Sequence, residues 1–302
     1  MSTLYAVTSA AKWSLHSVIS NNGGFVRTGP GQISQSSPSG DPNSAIHAVY
    51  PNAPITLTLP TAAPAPPPPP PFSPLDLANC DIWFDASDST QITASPFQFK
   101  NKGLLAGTAS ATAGVTTGVR TMNSKNLVSF GAQRYMTITL ALPSTSNKTF
   151  FVVAQNQTTI TTTYPGAYFY WITAPVSSAF GVGLENGGGT GLLKTEMNYI
   201  DYPMYAYTPI NSRFAIGTPY YISTRNSSTP ADGFIKINNT SITPLGNNWT
   251  ASFGTGSYAY DIGNRNYPNA FDLAEMILYD RVLTDAQCAQ VVSYLQARWG
   301  FA

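Results

Sequence analysis

Two closely spaced aspartates, Asp85 and Asp88, could together bind a metal ion. Asp85 and Asp88 lie three residues apart in the segment FDASDS, beside hydroxyl-bearing serines. Calcium takes about six to eight oxygen ligands, and loop carboxylates commonly supply some of them. The pattern also predicts Asx-turns, in which an aspartate satisfies nearby backbone amides. We favour turns, also for Asp261 and Asp280, and keep Asp85 and Asp88 as weak calcium candidates.

Histidine is scarce, and this argues against several kinds of catalysis. The chain contains only His16 and His47, both in its first quarter. A Ser-His-Asp or Cys-His mechanism needs a histidine base inside the folded domain, and zinc sites need clustered His and Cys. The glycine-rich run 187–191 lacks the Lys-Ser/Thr that follows a phosphate-binding loop. We therefore expect no cofactor.

Glutamates are the remaining catalytic candidates. A glycosidase places two carboxyl groups about 5 to 9 Å apart across its substrate. Glu185, Glu196 and Glu275 are the only glutamates and lie far apart in the sequence, although Glu275 could pair with Asp272. We assign Glu275 a structural role, either solvating a sheet edge or bonding a loop. The sequence therefore predicts that the protein is not an enzyme.

Aromatic side chains concentrate in the segments 164–172 and 198–210. Exposed rings of this kind could stack on sugars, but large rings also fill sandwich cores and protein interfaces. We assign Phe169 and Trp171 to the core. The second segment reads as irregular and contains proline, so some of its tyrosines should be exposed. The candidate residues for binding a glycan or a protein partner are Tyr164, Tyr168, Tyr199, Tyr202, Tyr205 and Tyr207.

The composition is neutral and rich in hydroxyl groups. Of 302 residues, 43% are hydrophobic and only 10% are charged, against roughly 25% in an average soluble domain, and the formal net charge is +1. Nucleic-acid binding needs clustered Lys and Arg, so we expect no nucleic-acid partner. The N-terminus predicts no signal peptide, and no apolar run approaches the ~18 residues of a membrane span.

Three regions differ in composition along the chain. Residues 1–59 read as an extended arm, whose apolar islands are too short to close a core. Alternation at Ile55, Leu57 and Leu59 gives a possible strand there. Residues 60–74 form a proline-rich rod, because the unbroken run Pro66–Pro71 favours polyproline II. The rod could be a linker, a docking peptide for an aromatic groove, or a strut held by neighbouring subunits.

Residues 75–302 read as an all-β domain. Many short strands separated by turn signals, with one late helix, predict a two-sheet antiparallel sandwich. The candidate strands are Asp81–Asp85, Leu127–Phe130, Tyr135–Leu140, Thr149–Gln155, Ala167–Ile172, Phe180–Leu184, Tyr220–Arg225, Gly233–Ile237, Tyr258–Ile262 and Leu273–Tyr279.

The end of the chain has the clearest local signals. Thr284 and Gln287 form a capping-box pattern that predicts the start of a helix. Apolar residues then recur at helical spacing, and Gly300 predicts the end of the helix. These apolar residues are Val291, Val292, Leu295 and Trp299.

Several segments resemble the concanavalin A-like lectin/glucanase superfamily, in its laminin-G-like branch. They are LANCDIWFDASDSTQIT (77–93), NLVSFGAQRYMTI (126–138), TFFVVAQ (149–155), GTPYYISTRNSS (217–228), FIKINNTSI (234–242), YDIGNRN (260–266) and the tail from Phe271 to Gly300. The resemblance covers roughly residues 75 to 302 and implies a jelly-roll sandwich with a short C-terminal helix. In this fold the terminal strands are commonly neighbours, so Cys80 and Cys288 could form a disulfide; two buried free thiols are the alternative.

Domains of this style are abundant in large DNA viruses and in bacterial secreted proteins. The viral examples, together with the neutral composition and the predicted lack of a signal peptide, favour a virion role. Our leading interpretation is a non-catalytic minor capsid or capsid-associated protein, assembled in the host cytoplasm. Its arm and rod, residues 1–74, would contact other virion proteins. The alternative is a carbohydrate-binding module for host attachment that uses the aromatic residues between Tyr164 and Tyr207.

Overall fold

The structure is a computed structural model that describes residues 25–29, 32–35, 71–111, 113–143, 147–158, 169–173, 181–186, 192–197, 204–209, 214–227, 229, 232–242, 246–247, 257–263 and 269–301. The chain divides into two units, Met1–Pro69 and Pro70–Ala302. In the described residues, the first unit contains a two-stranded hairpin. The second contains two larger sheets and one α-helix.

The strands are numbered in chain order. The first ten are β1 (Phe25–Gly29), β2 (Gln32–Gln35), β3 (Cys80–Asp85), β4 (Ile92–Ala94), β5 (Phe97–Lys100), β6 (Thr108–Ala111), β7 (Val115–Met122), β8 (Lys125–Phe130), β9 (Tyr135–Leu140) and β10 (Lys148–Asn156). The others are β11 (Phe169–Thr173), β12 (Gly181–Asn186), β13 (Leu192–Met197), β14 (Met204–Pro209), β15 (Pro219–Asn226), β16 (Phe234–Ile237), β17 (Thr240–Ile242), β18 (Gly246–Asn247), β19 (Tyr258–Gly263) and β20 (Phe271–Tyr279). The helix α1 spans Asp285–Trp299.

The first unit contains an antiparallel hairpin that the sequence did not suggest. Strands β1 and β2 pair with Phe25 opposite Gln35 and Val26 opposite Ser34. The hairpin adds a regular element to the predicted arm. The possible strand at 55–59 and residues 66–70 of the proline run lie outside the described residues.

An eight-stranded antiparallel sheet forms one layer of the second unit. Its order is β17-β16-β15-β10-β20-β8-β7, and β3 also pairs with β20. Strand β20 is therefore central: β10 lies on one side, while β8 and β3 share the other. Every residue of β10 and β20 is buried, which explains why both read as nearly continuous apolar runs in the sequence.

A ten-stranded antiparallel sheet forms the other layer, with the order β18-β14-β13-β12-β11-β19-β9-β6-β5-β4. Side chains from alternate positions of both sheets form one hydrophobic core. Phe84 of the eight-stranded sheet and Phe99 of the ten-stranded sheet meet in this core, with ring centroids 4.9 Å apart. The predicted all-β sandwich is confirmed, and each of the ten predicted strands overlaps an observed one.

Helix α1 packs on the outer face of the eight-stranded sheet and forms a second apolar cluster with it. The capping box of Thr284 and Gln287 is present as predicted, and Gly300 ends the helix with φ of 77°. Val291, Leu295 and Trp299 are buried against the sheet. In the part of the chain that the structure describes, no helix is both long enough and apolar enough to cross a bilayer.

Candidate functional site

The outer face of the ten-stranded sheet carries a row of polar residues across adjacent strands. Core residues of β9 and β19 alternate with Thr137 and Asp261, which therefore face outward. Thr137 pairs in register with Ser110 of β6 on one side and with Asp261 on the other. The register continues from Asp261 to Thr173 of β11. The sheet thus aligns Ser110, Thr137 and Asp261, the three residues of the row whose side chains are described, on neighbouring strands.

Hydrogen bonding fixes the middle of this row. The Thr137 hydroxyl donates to Asp261 Oδ1 at 2.9 Å, and Asp261 is only 4% exposed. Because the threonine hydroxyl donates to the carboxylate, its oxygen can still accept a hydrogen bond from outside. Ser110 is exposed and adds a hydroxyl that can donate and accept. The row is suited to binding the hydroxyl groups of a ligand.

The sequence placed Asp261 among turn residues, and this was wrong. Asp261 lies inside strand β19, between the buried residues Tyr260 and Ile262. The apolar-polar-apolar alternation of these three residues was the available signal, because it predicts one polar residue facing away from the core. The partner hydroxyl of Thr137 comes from a distant segment, so local sequence could not reveal it.

Four of the six tyrosine candidates, Tyr164, Tyr168, Tyr199 and Tyr202, lie outside the described residues. The prediction that the other two occupy an irregular segment was wrong. Tyr205 and Tyr207 lie two residues apart in strand β14. The structure describes their backbone positions but not their side chains. Both strand positions belong to the same sheet as the polar row.

The strand order sets the separation between Tyr205 and Asp261. Three strands, β11, β12 and β13, lie between β14 and β19. Strands are spaced about 4.8 Å apart, so the two positions are separated across the sheet by about 19 Å. Only an extended ligand could reach from one to the other.

A second polar group lies inside the protein, between α1 and the eight-stranded sheet. Glu275 of β20 and Asp85 of β3 pair in register, and both side chains are fully buried. Arg298 from the last turn of α1 reaches both: its Nη2 is 2.5 Å from Asp85 Oδ2, and its Nε is 3.4 Å from Glu275 Oε2. The prediction that Glu275 solvates an edge or bonds a loop was wrong, because β20 is central.

Three further side chains donate hydrogen bonds to Glu275. Trp83 Nε1 and the Tyr294 hydroxyl bond Oε1 at 2.7 and 2.8 Å, and Trp299 Nε1 bonds Oε2 at 2.6 Å. Tyr294 and Trp299 belong to α1, whereas Trp83 belongs to β3. The carboxylate of Glu275 therefore fastens the helix to the sheet.

The environment of Glu275 changes its acidity. Burial and the neighbouring Asp85 carboxylate raise the pKa of Glu275 to about 7, although the hydrogen bonds from Trp299 and Trp83 and the charge of Arg298 act in the opposite direction. A raised pKa is typical of the general acid of a glycosidase. Glu275, however, is covered by α1 and makes its contacts inside the protein. Asp272, its suggested partner, binds Arg120 instead.

The calcium candidates lie in two consecutive turns. The Asp85 carboxylate accepts the amide of Ser87 at 3.1 Å, and the Asp88 carboxylate accepts the amide of Thr90 at 3.1 Å. Lys102 lies between them, with its Nζ 3.2 Å from Asp85 Oδ2 and 2.9 Å from Asp88 Oδ2. Among the residues that the structure describes, no three His, Cys, Asp or Glu side chains are grouped as a metal site.

Cys80 and Cys288 are free, buried thiols in the cluster beneath α1, so the suggested disulfide is not formed in the structure. Their sulfur atoms lie 3.8 Å from the Ile82 carbonyl and 3.9 Å from the Leu283 carbonyl. Burial, more than any neighbouring charge, raises the pKa of Cys80 to about 12 and that of Cys288 to about 11. Both thiols are therefore protonated and pack as small apolar groups.

No protein-family model matches the sequence, and no curated protein matches it. Solved structures do match the fold. The receptor-binding domain of botulinum neurotoxin C/D mosaic serotype is 9% identical, with a TM-score of 0.52, over 74% of this chain and 54% of that chain. The fold is shared.

Two further binding domains give similar values. The binding domain of Paraclostridial Mosquitocidal Protein 1 is 12% identical, with a TM-score of 0.50, over 72% of this chain and 52% of that chain. The binding domain of botulinum neurotoxin DC in complex with SialylT is 8% identical, with a TM-score of 0.51 and the same coverages. The chain spans about half the length of these structures. At these identities the likeness concerns the β-sandwich fold alone.

Proposed function

We propose that the sandwich is a non-catalytic carbohydrate-binding module whose ligand lies along the outer face of the ten-stranded sheet. The observation that carries this proposal is the row Ser110–Thr137–Asp261, in which two hydroxyls and an oriented carboxylate lie in register on adjacent strands. A ligand with many hydroxyl groups matches such a row, because each hydroxyl can donate one hydrogen bond and accept others.

Two of the tyrosine candidates occupy strand positions in the same sheet as the row. Tyr205 and Tyr207 occupy alternate positions of β14, in register with Glu196 and Lys194 of β13. Alternate positions of a strand share one face, so a sugar chain could follow the sheet from these positions toward Asp261. An aromatic ring stacked on a sugar and a carboxylate that accepts its hydroxyl protons are complementary contacts.

The shared fold supports a binding role. Solved binding domains have the same β-sandwich fold, and one of them was solved in complex with SialylT. A non-catalytic role is supported by the burial of Glu275 and Asp85 beneath α1, where they bond Arg298 and two tryptophans. We infer no reaction from these carboxylates.

A glycan array probed with the full chain tests the proposal. We expect saturable binding to a limited set of glycans, and lower signals for those glycans with the variant Asp261→Asn. Ser241→Ala serves as a control, because Ser241 is an exposed residue of β17 at one edge of the other sheet. A chain that binds no glycan would contradict the proposal.

The assembly role of residues 1–74 is a separate proposal. It is supported by the unbroken run of prolines and by the low content of charge in this region. In particles that incorporate the full chain, removal of residues 1–69 should abolish incorporation while glycan binding by the sandwich remains. Normal incorporation of the truncated chain would contradict the virion role.

A further inference from the structure

The edge strand β7 carries a bulge on the eight-stranded sheet. The pairing of β7 with β8 shifts register between Thr117 and Thr121, so the three residues between them oppose Leu127 alone. Gly118, the first residue of the bulge, has φ of 75°, a left-handed conformation that glycine adopts without strain. Bulges commonly redirect a side chain. Here the redirected side chain is that of Arg120.

Arg120 binds a carboxylate of the central strand through one nitrogen only. Its Nε lies 2.8 Å from Asp272 Oδ2 and 3.1 Å from Asp272 Oδ1. Within the described part of the chain, the guanidinium makes no other hydrogen bond, and the side chain is 40% exposed. The donors on Nη1 and Nη2 are therefore held in place by the Nε contact and remain available to a ligand.

Asp272 is a rigid anchor for this guanidinium. Its side chain is fully buried, and its neighbours Phe271 and Leu273 pack in the core between the sheets, so Asp272 faces the outer side. Gln155 Nε2 and Gln157 Nε2 donate to Oδ2 at 2.9 and 2.6 Å. With both amides and Arg120 as donors, the carboxylate has little freedom to move.

A buried hydroxyl without a partner lies beside this anchor. Ser129 of β8 pairs in register with Asp272, so the two side chains share the outer face with Cβ atoms about 5 Å apart. Ser129 is only 4% exposed, and its Oγ has no hydrogen-bond partner among the described residues. A buried polar atom of this kind is rare unless something binds it.

The charges at this place select a class of ligand. Arg120 and Asp272 form an ion pair, so their charges cancel, and Gln155, Gln157 and Ser129 are neutral. An anion would gain little from a guanidinium that is already paired, whereas neutral hydroxyl groups need only donors and acceptors. Val119, next to Arg120 in the bulge, is 63% exposed and adds an apolar contact for a sugar ring.

We propose that Arg120 and Ser129 bind hydroxyl groups of a neutral sugar at the edge of the eight-stranded sheet. The two Nη groups of Arg120 donate to ligand oxygens, and Ser129 supplies a hydroxyl that both donates and accepts. This would be a second site, formed by the sheet opposite to the polar row, and it does not require the row to bind anything. The two sites lie on opposite outer faces of the sandwich, so one chain could bind two separate glycans at once.

NMR titration of the full chain tests this site, with methyl glucoside, methyl galactoside and N-acetylglucosamine as probes. The Arg120 Nε signal is assigned by its loss in Arg120→Lys. At least one sugar should shift that signal saturably, and Arg120→Lys should weaken binding of that sugar by about tenfold, as expected for one lost bidentate contact. Arg134→Lys, the same change at an exposed arginine, should leave binding unchanged.

A second variant separates binding from folding. Ser129→Ala removes the unpartnered hydroxyl, so it should weaken sugar binding without lowering the free energy of unfolding. Thr137→Val changes the row on the other sheet and should leave the Arg120 signal and its titration by sugar unchanged. The test of the Arg120 site is therefore independent of whether the row binds a ligand. The proposal is overturned if none of the three sugars shifts the signal, if Arg120→Lys binds as wild type does, or if methyl phosphate or glucuronate binds in their place.

Discussion

Glu275 lies directly opposite Asp85 on neighbouring antiparallel strands, and both carboxylates are completely buried. Two like charges at this separation repel each other in a medium of low polarity. Arg298 offsets this repulsion, because one guanidinium contacts both carboxylates. The position of α1 on the sheet therefore depends on a charged group inside the protein as well as on its apolar face.

Replacing Glu275 should change how stability depends on pH. Folding raises the pKa of Glu275 from 4.5 to about 7, so between these pH values the folded protein holds a proton that the unfolded chain has released. This contribution is present near pH 5 and is lost as the pH rises through 7. The free energy of unfolding of wild type, relative to Glu275→Gln, should therefore fall by about 2 kcal/mol between pH 5 and pH 8.

Urea denaturation of both proteins at the two pH values measures this difference. Burial and a neighbouring charge also raise the pKa of Asp81, to about 6, but Asp81 is present in both proteins and cancels in the comparison. Parallel pH profiles for wild type and variant would contradict the raised pKa of Glu275.

Removing the charge of Arg298 should destabilise the protein strongly. Arg298→Met keeps a long apolar side chain but leaves Asp85 and Glu275 without their shared cation. Loss of one partner from a buried pair costs about 3 to 5 kcal/mol, and the 27% exposure of Arg298 reduces this to about 2 kcal/mol. Gln290→Met, an exposed change on the same helix, should cost far less, as measured by thermal unfolding. Equal effects of the two variants would contradict the account.

The fold was largely predictable because its elements have local signals. Strand β9 was predicted with its observed ends, Tyr135 and Leu140, since its apolar residues alternate and face one core. The helix was predicted from Thr284, Gln287 and Gly300, whose roles depend only on neighbours within a few residues. Strands such as β6 and β7 were missed because they contain few apolar residues and carry polar side chains that face outward.

The polar sites were less predictable because their partners are distant in sequence. Asp272 and Arg120 are separated by 152 positions, and Trp83 and Glu275 by 192. Only strand pairing brings such residues together. The sequence identified Glu275 as a carboxylate of interest but could not show that it lies in a central strand beneath a helix.

The two cysteines should be unreactive in the folded protein. Cys80 and Cys288 are buried, and burial raises the pKa of both thiols well above neutral, so almost no thiolate is present. A soluble thiol reagent near pH 8 should label neither cysteine in native protein and both after unfolding in urea. Fast labelling of the native protein would contradict the buried placement. If neither cysteine reacts even after unfolding, the two thiols are joined in a disulfide.

The last residues of the proline-rich region should contribute to the stability of the sandwich. The Tyr279 hydroxyl donates to the Pro74 carbonyl at 3.0 Å, and the Phe72 ring packs against Tyr294 with centroids 5.7 Å apart. A chain that lacks residues 1–74 should be about 2 kcal/mol less stable than one that lacks residues 1–69, because a buried hydroxyl loses its acceptor. Tyr279→Phe should destabilise the longer chain more than the shorter one; equal effects would contradict the role of Pro74.

Glycan titration of the full chain tests the binding function most directly. For a glycan selected on the array, calorimetry should give a measurable dissociation constant for wild type and for Ser241→Ala. Thr137→Val and Asp261→Asn should each weaken binding by about tenfold, since each removes one oriented hydrogen-bonding group of the row. Unchanged affinity in both row variants, with the fold intact, would contradict a ligand site on the ten-stranded sheet.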